Sequence, residues 1–313
     1  MGNSFDVIVV GDYCLDLIFT GLPKMPELGV EVVGSGFDML PGATWNTVVS
    51  MHRLGIKTGW AGDFGSDDFS QLVLKFARDE GLDESLFEHH KQAMRRITVA
   101  LSYPEERAFV AFYDPEAKVP AALKALTRSS ARAVYVPGVY YGPAFDAGAV
   151  IMRAKRMKLI VDGNSTEDTT LKNPGVRKTI KTTDMYLPNA AEARRMTGED
   201  DLRVAIAKLA ELCPLVVVKD GPRGAYAMEN GQLVHVPGLK VDVVDTTGAG
   251  DCFNSGFIRA WLDGQPLVEC LKWGNIVGGL STTARGGTGR VVNADLVRSF
   301  LPMLAESSVQ ERR

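Results

Sequence analysis

The sequence predicts a three-layer α/β protein with a mainly parallel central sheet, helices on both faces and a small β-sheet lid. The first observation is that short apolar segments alternate with segments of helical period along most of the 313 residues. The second is that residues 17–40 and 97–113 are rich in β-branched residues without a helical period. We therefore expect one domain, residues 1–313, whose lid is formed by residues 13–40 and 95–113.

The predicted strands are buried apolar runs, and most of them precede amphipathic helices. In the helix predicted at residues 67–80, Phe69, Leu72, Val73 and Phe76 form one apolar stripe. In chain order we predict strands at residues 5–10, 57–61, 133–136, 158–161, 185–187 and 215–219, and a hairpin at 225–236. We predict helices at residues 42–54, 67–80, 143–156, 190–197, 202–212, 253–262 and 267–284, and a last one from Ala294. Such alternation is typical of a parallel sheet.

The composition excludes several classes of protein. Apolar residues make up 45% of the chain, charged residues 23%, and the net charge is −3, which argues against nucleic-acid and anionic-membrane partners. The four cysteines and four histidines show no metal-ligand spacing. We see neither a signal peptide nor an apolar run of membrane-spanning length, so a cytoplasmic enzyme is expected.

The lid prediction depends mainly on residues 97–113, which alternate like two strands around Pro104, Glu105 and Glu106. A mobile sheet over a binding site would explain this segment. A pair of surface hairpins without functional motion is the alternative.

One stretch, residues 243–253, ends a strand and turns through Gly248, Ala249 and Gly250 into a helix. Such a turn aims backbone N–H groups and the positive end of the helix dipole at one point, which makes an anion site. Asp251 would repel an anion there, and its presence makes sense if it takes a proton from an attacking hydroxyl. The alternative is a plain connection in which Asp251 caps the helix.

Other polar residues follow the predicted strand ends, where ligands bind in parallel sheets. The residues that should meet on this rim are Gly11, Gly138, Asp162 and Asn189. Asp12 and Asp16 follow the first strand, and carboxylates suit sugar hydroxyls because each oxygen can accept two hydrogen bonds. Asn189 and Glu192 begin a helix at the spacing of a capping box, which competes with a binding role.

Together, these motifs resemble the signatures of the ribokinase (PfkB) family of carbohydrate kinases. Asp-Thr-Thr-Gly-Ala-Gly-Asp at residues 245–251 resembles the family's C-terminal signature and is the most specific match. Pro-Gly-Ala-Thr-Trp-Asn-Thr at residues 41–47 is similar to its N-terminal signature. Residues 62–69 are similar to its Gly-x-Asp-x-x-Gly region, and residues 216–224 to the strand and turn that meet ATP.

The resemblance implies a single kinase domain that uses ATP to phosphorylate a hydroxyl of a small sugar or polyol. Asp251 would be the general base, and the anion hole would be formed by Gly248, Ala249 and Gly250. The acceptor would be bound by Asp12, Asp16, Gly42 and Asn46. ATP would be bound near Asn189, Glu192, Lys219, Gly221 and Asn275, with Mg²⁺ ordered through water by Asn189 and Glu192. A potassium ion would be held by Asp245, by the backbone of Thr247 and by backbone carbonyls of the glycine-broken helix end, among them those of Arg285 and Gly287.

The chain departs from ribokinase itself at three informative places. Cys14 and Ala43 stand where ribokinases carry Asn and Lys, and Pro137-Gly138-Val139 lacks the acidic residue that they place near the sugar. We therefore predict that ribose is not the preferred acceptor. Lys219 stands where Thr or Ser is frequent in the family. It could contact a phosphate, but we favour its interpretation as an ordinary exposed lysine.

Three alternatives stay open. A nucleoside kinase of the same family would need an apolar or aromatic slot, for which the candidates are Trp45, Tyr140 and Tyr141. A sugar-phosphate kinase would need a basic acceptor pocket, for which the candidates in the lid are Arg95, Arg96 and Arg107. A non-catalytic sugar-binding regulator is the third, and the intact Asp251 counts against it.

The lid also suggests an assembly. It should leave an exposed β face or edge, which associates readily, and members of the family often bury that surface by dimerising. We therefore predict a homodimer through residues 17–40 and 97–113.

Overall fold

The computed structural model describes residues 4–103, 107–117, 120–304 and 309–312. The strands are β1 (Ser4–Val10), β2 (Tyr13–Thr20), β3 (Gly36–Ala43), β4 (Thr58–Ala61), β5 (Asp63–Phe64), β6 (Glu88–His89), β7 (Arg96–Ser102), β8 (Arg107–Tyr113), β9 (Ser130–Val136), β10 (Lys158–Asp162), β11 (Met185–Leu187), β12 (Leu215–Lys219), β13 (Ala225–Glu229), β14 (Gln232–Val236) and β15 (Val309–Arg312). The helices are α1 (Thr44–Arg53), α2 (Asp68–Asp79), α3 (Ala121–Arg128), α4 (Pro143–Ala154), α5 (Pro174–Thr182), α6 (Ala190–Thr197), α7 (Leu202–Ala210), α8 (Ala249–Leu262), α9 (Leu267–Ser281) and α10 (Ala294–Phe300).

The central sheet has nine strands in the order β15-β14-β13-β12-β11-β10-β9-β1-β4. The strands from β12 to β4 pair in parallel, and β13, β14 and β15 add an antiparallel edge. Alternate residues face opposite cores, so Val7 and Val9 of β1 join one core while Ile8 and Val10 join the other. Helices α1, α2, α8, α9 and α10 cover the first face, and α3 to α7 cover the second. This architecture confirms the predicted fold class.

The parallel strands all end at one edge of the sheet, which gathers polar residues from distant parts of the chain. Asp12 follows β1, Asp162 ends β10, Asn189 follows β11 and Lys219 ends β12. Asn189 and Lys219 are paired by a parallel bridge just past β11. Of the four residues predicted on this rim, Asp162 and Asn189 are among these, while Gly11 directly follows β1 and Gly138 lies two residues after β9.

A separate four-stranded sheet, in the order β3-β2-β7-β8, supplies further walls at the same edge. It contains much of the segment pair predicted as a lid, and β8 leaves most of its side chains exposed. The predicted turn at Pro104, Glu105 and Glu106 lies outside the described residues. The lid sheet joins the main domain closely, because β3 runs into α1 at Ala43, whose φ is 55°.

Several predicted boundaries are wrong for local reasons. The first helix begins at Thr44 rather than Gly42, because Gly42 and Ala43 pair with Cys14 and Tyr13 in the lid sheet. Helix α8 begins at Ala249 rather than Phe253, because the glycine turn forms the first helical turn itself. Helices α3 and α5 are absent from the prediction, since α3 is short and rich in alanine and α5 opens with Pro-Gly.

Within the described ranges, no helix combines the length and the apolar character needed to cross a bilayer.

Candidate active site

A cavity of about 550 Å³ lies at the carboxyl edge of the central sheet. Its walls come from the strand ends, the lid sheet and the first turn of α8. The residues of the predicted site that line it are Asp12, Asn189, Glu192, Lys219, Gly221, Gly248, Ala249, Gly250 and Asp251. One cavity therefore joins the residues predicted for acceptor, nucleotide and chemistry.

The turn before α8 places backbone N–H groups at the cavity wall. Gly248 has a φ of 68°, and a Cβ there would lie 2.8 Å from Asn46 Nδ2 and from Gly287 Cα, so glycine is required. Gly250 and Asp251 fall in the first turn of α8, where N–H groups have no intrahelical acceptor. These groups and the positive end of the helix dipole are the features that the predicted anion site requires.

Asp251 is half-buried in that turn, and its carboxylate Oδ1 accepts a hydrogen bond from Thr47 Oγ1 at 3.1 Å. Burial and the nearby charge of Asp162 raise the pKa of Asp251 to about 7, while Lys219, Thr47 and Asn46 act in the opposite direction. A carboxylate with this pKa can accept a proton near neutral pH and later release it.

Lys219 corrects the sequence interpretation. Its side chain is only 12% exposed, and Nζ lies 2.7 Å from Asp162 Oδ1 and 3.1 Å from Asn254 Oδ1. The interpretation as an ordinary exposed lysine is therefore wrong, because β12 ends at the cavity rather than at the surface. The sequence predicts Asp162 on the rim only because this residue follows a predicted strand. Nothing in the sequence indicates a role for Asn254.

The end of the cavity at Asp12, which the sequence predicts to bind the acceptor, is charged, and its charges are paired with one another. Arg96 Nη2 of β7 lies 2.6 Å from Asp12 Oδ2. The burial of Asp12 has a larger effect than the positive charge of Arg96, so the pKa of Asp12 is raised. Arg95 binds Asp114 at 2.9 Å, and Arg107 binds Asp245 at 3.2 Å. Each arginine proposed for a basic acceptor pocket thus already faces a carboxylate.

The other predicted acceptor residues lie behind this wall. Asp16 lies against Gly42, since a Cβ on Gly42 would be 2.5 Å from Asp16 Oδ2. Asn46 is buried between the backbones of Gly248 and Gly287. Of the four, and within the described part of the chain, only Asp12 lines the cavity.

Asn189 and Glu192 form the capping box that competed with their binding role. Glu192 N donates to Asn189 Oδ1 at 2.9 Å, and Asn189 N donates to Glu192 Oε2 at 2.7 Å. Both side chains also line the cavity, and burial raises the pKa of Glu192. The two roles are compatible, because the cap leaves Glu192 Oε1 unused and occupies only one of the two lone pairs of Asn189 Oδ1.

The backbone segments predicted to hold potassium lie close together, because Thr247 and Gly286, which separates Arg285 from Gly287, both donate their N–H groups to Asp245. Asp245 accepts hydrogen bonds from Thr247 N at 3.0 Å, from Gly286 N at 3.0 Å and from Arg107 Nη2 at 3.2 Å. Burial favours the neutral acid, but these donors outweigh it and lower the pKa of Asp245. The Arg285 side chain lies 3.6 Å from Asp38 of the lid, which does not affect its predicted role, because that role belongs to the backbone carbonyl. Gly287 packs against Asn46.

Asn275 lies apart from the cavity wall. It is buried on α9, and Nδ2 donates to Val236 O at 2.9 Å and Pro237 O at 3.1 Å. Its observed role is to fix the chain after β14.

A second cavity of about 300 Å³ adjoins the first and shares Asp12, Pro137 and Tyr140 with it. Its walls are mostly apolar and include Tyr141. Trp45 does not contribute, because it is buried against Trp60 and Phe76. Two of the three aromatic residues predicted for a base slot therefore line such a cavity.

The comparisons with known proteins agree with this geometry. The chain matches the family model for pfkB family carbohydrate kinases over residues 6–293. It is 25% identical over 303 residues to a ribokinase from Bacillus subtilis, an alignment that covers 95% of this chain and 99% of that protein. The fold is similar to that of an Arabidopsis thaliana ribokinase complexed with ribose and ATP, with a TM-score of 0.80, 20% identity and coverage of 96% and 99% of the two chains. It is also similar to a nucleoside kinase from Methanocaldococcus jannaschii, with a TM-score of 0.76, 19% identity and coverage of 96% and 100%.

The family model spans nearly the whole chain, and the most specific motif of the sequence forms the anion turn of the cavity. The protein therefore belongs to the pfkB family of carbohydrate kinases and is a sugar kinase, a phosphotransferase with an alcohol group as acceptor.

Proposed function

We propose that this sugar kinase transfers the γ-phosphoryl group of ATP to a hydroxyl of a neutral sugar or polyol, with Asp251 as general base. The observation that carries the proposal is the position of Asp251 in the first turn of α8, on the cavity wall and beside N–H groups that suit a phosphoryl group. A carboxylate at an anion site is unfavourable unless it has a chemical task.

In the proposed step, the acceptor hydroxyl gives its proton to Asp251 as its oxygen bonds to the γ-phosphorus. The bond between that phosphorus and the β,γ-bridging oxygen breaks, and ADP leaves with the electron pair. The N–H groups of the turn from Gly248 to Asp251 stabilise the charge on the transferring oxygens. Closure of the lid sheet excludes water, which would otherwise compete as acceptor.

The nucleotide is proposed to lie along Asn189, Glu192, Lys219 and Gly221, with Asn275 supporting that side from α9. Within the described residues, no cluster of three or more His, Cys, Asp or Glu side chains is placed to hold a metal. The Glu192 carboxylate and the Asn189 amide fit Mg²⁺ that keeps its waters, because this ion takes few protein ligands beside nucleotide phosphates. Mg²⁺ would neutralise phosphate charge.

A cytoplasmic location is proposed, since ATP is available there.

A neutral acceptor is favoured over a sugar phosphate. Arg95, Arg96 and Arg107 each face a carboxylate, so their charges are already compensated. An added phosphate dianion would have to displace Asp12 from Arg96 and would also meet Glu116 on the cavity wall. Hydroxyl groups can instead be bound by the oxygens of Asp12.

A nucleoside acceptor is the second candidate, and the adjoining apolar cavity favours it. That cavity opens beside Asp12 and is lined by Tyr140 and Tyr141. Its volume of about 300 Å³ exceeds that of an aromatic ring system, so a base could be accommodated. A non-catalytic regulator would bind the same ligands without forming ADP.

The test is ADP release from the wild-type protein across ribose, fructose, other ketoses, inositols, adenosine, cytidine and sugar phosphates. We expect a neutral acceptor other than ribose to give the highest kcat/KM. The reason is that Cys14, which lines the cavity and lies 3.0 Å from Thr98 Oγ1, replaces a stronger hydrogen-bonding partner. A kcat/KM for ribose that is tenfold or more above that of the other acceptors, about 1.4 kcal/mol in transition-state binding, would contradict this expectation.

Turnover should require Mg²⁺ and should be faster in potassium than in tetramethylammonium buffer at matched ionic strength. Asp245 suits a monovalent cation because its lowered pKa keeps it ionised, and a cation there would share the carboxylate with Arg107. Equal rates in the two buffers would eliminate potassium while leaving the kinase assignment intact.

The protein should form a homodimer through the lid sheet. β8 is an edge strand on which Phe109, Val110 and Phe112 are 62%, 65% and 53% exposed. Val110→Lys should shift the protein to monomer in sedimentation at micromolar concentration. Val150→Lys on α4, where the side chain is 68% exposed, is the matched control and should leave the dimer intact. A monomeric wild-type protein would contradict the prediction.

A further inference from the structure

Lys219 belongs to a buried polar cluster that a role in nucleotide binding does not explain. Its ammonium lies between Asp162 Oδ1 of β10, at 2.7 Å, and Asn254 Oδ1 of α8, at 3.1 Å. The hydroxyl of Tyr135 on β9 donates to Asp162 Oδ2 at 3.0 Å and accepts from Asn254 Nδ2 at 3.0 Å. The ammonium is therefore fixed by the hydrogen bonds that it donates to Asp162 of the sheet and to Asn254 of α8.

This cluster lies directly beside the reacting carboxylate. A Cβ built on Gly250 would be 3.7 Å from Lys219 Nζ, and Gly250 immediately precedes Asp251. Asn254 follows Asp251 by three positions on α8, so the two side chains share one face of the helix. Buried ion pairs contribute little net stability. Stabilisation of the fold alone therefore does not account for an ion pair at this position beside the site.

The groups around Asp251 have opposing effects on its charge. Asp162 on β10 disfavours the carboxylate, and Lys219 on β12 favours it. Thr47 and Asn46 on α1 donate hydrogen bonds that favour it. Tyr135 on β9 and Cys252 on α8 stay neutral, because burial raises the pKa of each.

We propose that Lys219 is a positioning residue for phosphoryl transfer: its ammonium, fixed by Asp162 and Asn254, holds Asp251 in the proton-accepting carboxylate form beside the anion turn. The proposal builds on the proposed role of Asp251 as general base. It gives a function to the charged residue that ends β12.

The test follows the carboxyl carbon of Asp251 by NMR in the full-length protein labelled with ¹³C-aspartate. Asp251→Asn identifies the signal by its loss. In the wild type the midpoint is expected near 7. Lys219→Met should raise it by about one unit or more, since an opposite charge nearby lowers a carboxyl pKa by about 1–3 units. Asp162→Asn should lower it, so the two variants move the midpoint in opposite directions.

The matched control is Lys158→Met. Lys158 pairs with Asp184 at 2.8 Å, but at the amino end of β10, and its side chain is 57% exposed. The Asp251 midpoint should not move in this variant. If Lys219→Met does not fold, Lys219→Gln keeps a donor for Asp162 without the charge and should shift the midpoint in the same direction.

Kinetics provide the second readout. The acid limb of the pH profile of kcat/KM should shift upward in Lys219→Met by the same amount as the NMR midpoint. An unshifted midpoint in a folded Lys219 variant would overturn the proposal, as would a shift of both variants in one direction. Shifts as expected in a protein that phosphorylates no acceptor would instead refute the proposed function and leave the electrostatic role of Lys219 in place.

Discussion

Replacing Asp251 with asparagine should lower kcat by about 10²–10⁴-fold and leave ATP affinity nearly unchanged. Asparagine keeps the size of the side chain and can still contact Thr47, but it cannot accept the proton of the acceptor hydroxyl. The loss belongs to the chemical step, because Asp251 is proposed to contact the acceptor rather than the nucleotide. Steady-state rates with the best acceptor, together with calorimetric titration of a non-hydrolysable ATP analogue, measure the two effects.

Asp263→Asn is the control for this substitution. Asp263 follows the other end of α8, where it pairs with Arg259 at 3.1 Å on the surface. The same chemical change there should leave kcat within about twofold of the wild type, because surface ion pairs are worth little. If Asp251→Asn also kept a near-wild-type kcat, Asp251 would not be the base.

Replacing Gly250 with alanine should lower kcat by about 10²–10³-fold without weakening the fold. The new Cβ would meet nothing nearer than Lys219 Nζ at 3.7 Å, which is an ordinary contact. It would, however, stand beside the N–H groups proposed to hold the transferring phosphoryl group. Misplacing a single donor of this kind typically costs about 10²–10³-fold in kcat. Alanine also has the higher helix propensity, so Tm should stay equal or rise.

Gly248→Ala is the variant to compare with Gly250→Ala, because it should affect folding as well as catalysis. Its φ of 68° and its 2.8 Å approach to Asn46 leave no room for a Cβ, so this variant should lose both activity and thermal stability. Rate measurements and thermal melts on the two variants thus test one turn for catalysis and for folding independently. A Gly250→Ala enzyme with wild-type kcat would show that the turn does not bind the reacting group.

The sequence predicted the parts of the site that depend on local pattern. The turn at Gly248 and Gly250 was recognised because strand, glycines and helix follow one another directly in the chain. The box of Asn189 and Glu192 was recognised for the same reason, since capping needs a spacing of only three residues.

What the sequence did not reveal depends on contacts across the sheet. Lys219 looked exposed because nothing near it in the chain indicates Asp162, which lies 57 positions away. Asn254 looked like one polar residue in a helix, although it faces β12 and β9. The arginines of the lid suggested a basic pocket, and only the folded chain shows their partners, such as Asp12 for Arg96. Ion pairs between distant segments are set by topology rather than by local sequence.

The direct passage of β3 into α1 at Ala43 has a mechanical consequence. Strand β3 and the helix α1, which carries Asn46 and Thr47, are joined at Ala43 without a loop, so a displacement of β3 would be transmitted to α1. Thr47 donates a hydrogen bond to Asp251, the proposed base, so a sugar that draws β3 toward the cavity would also move this carboxylate. We therefore expect the enzyme to consume ATP only in the company of its acceptor, with wasteful hydrolysis suppressed by the geometry of one joint.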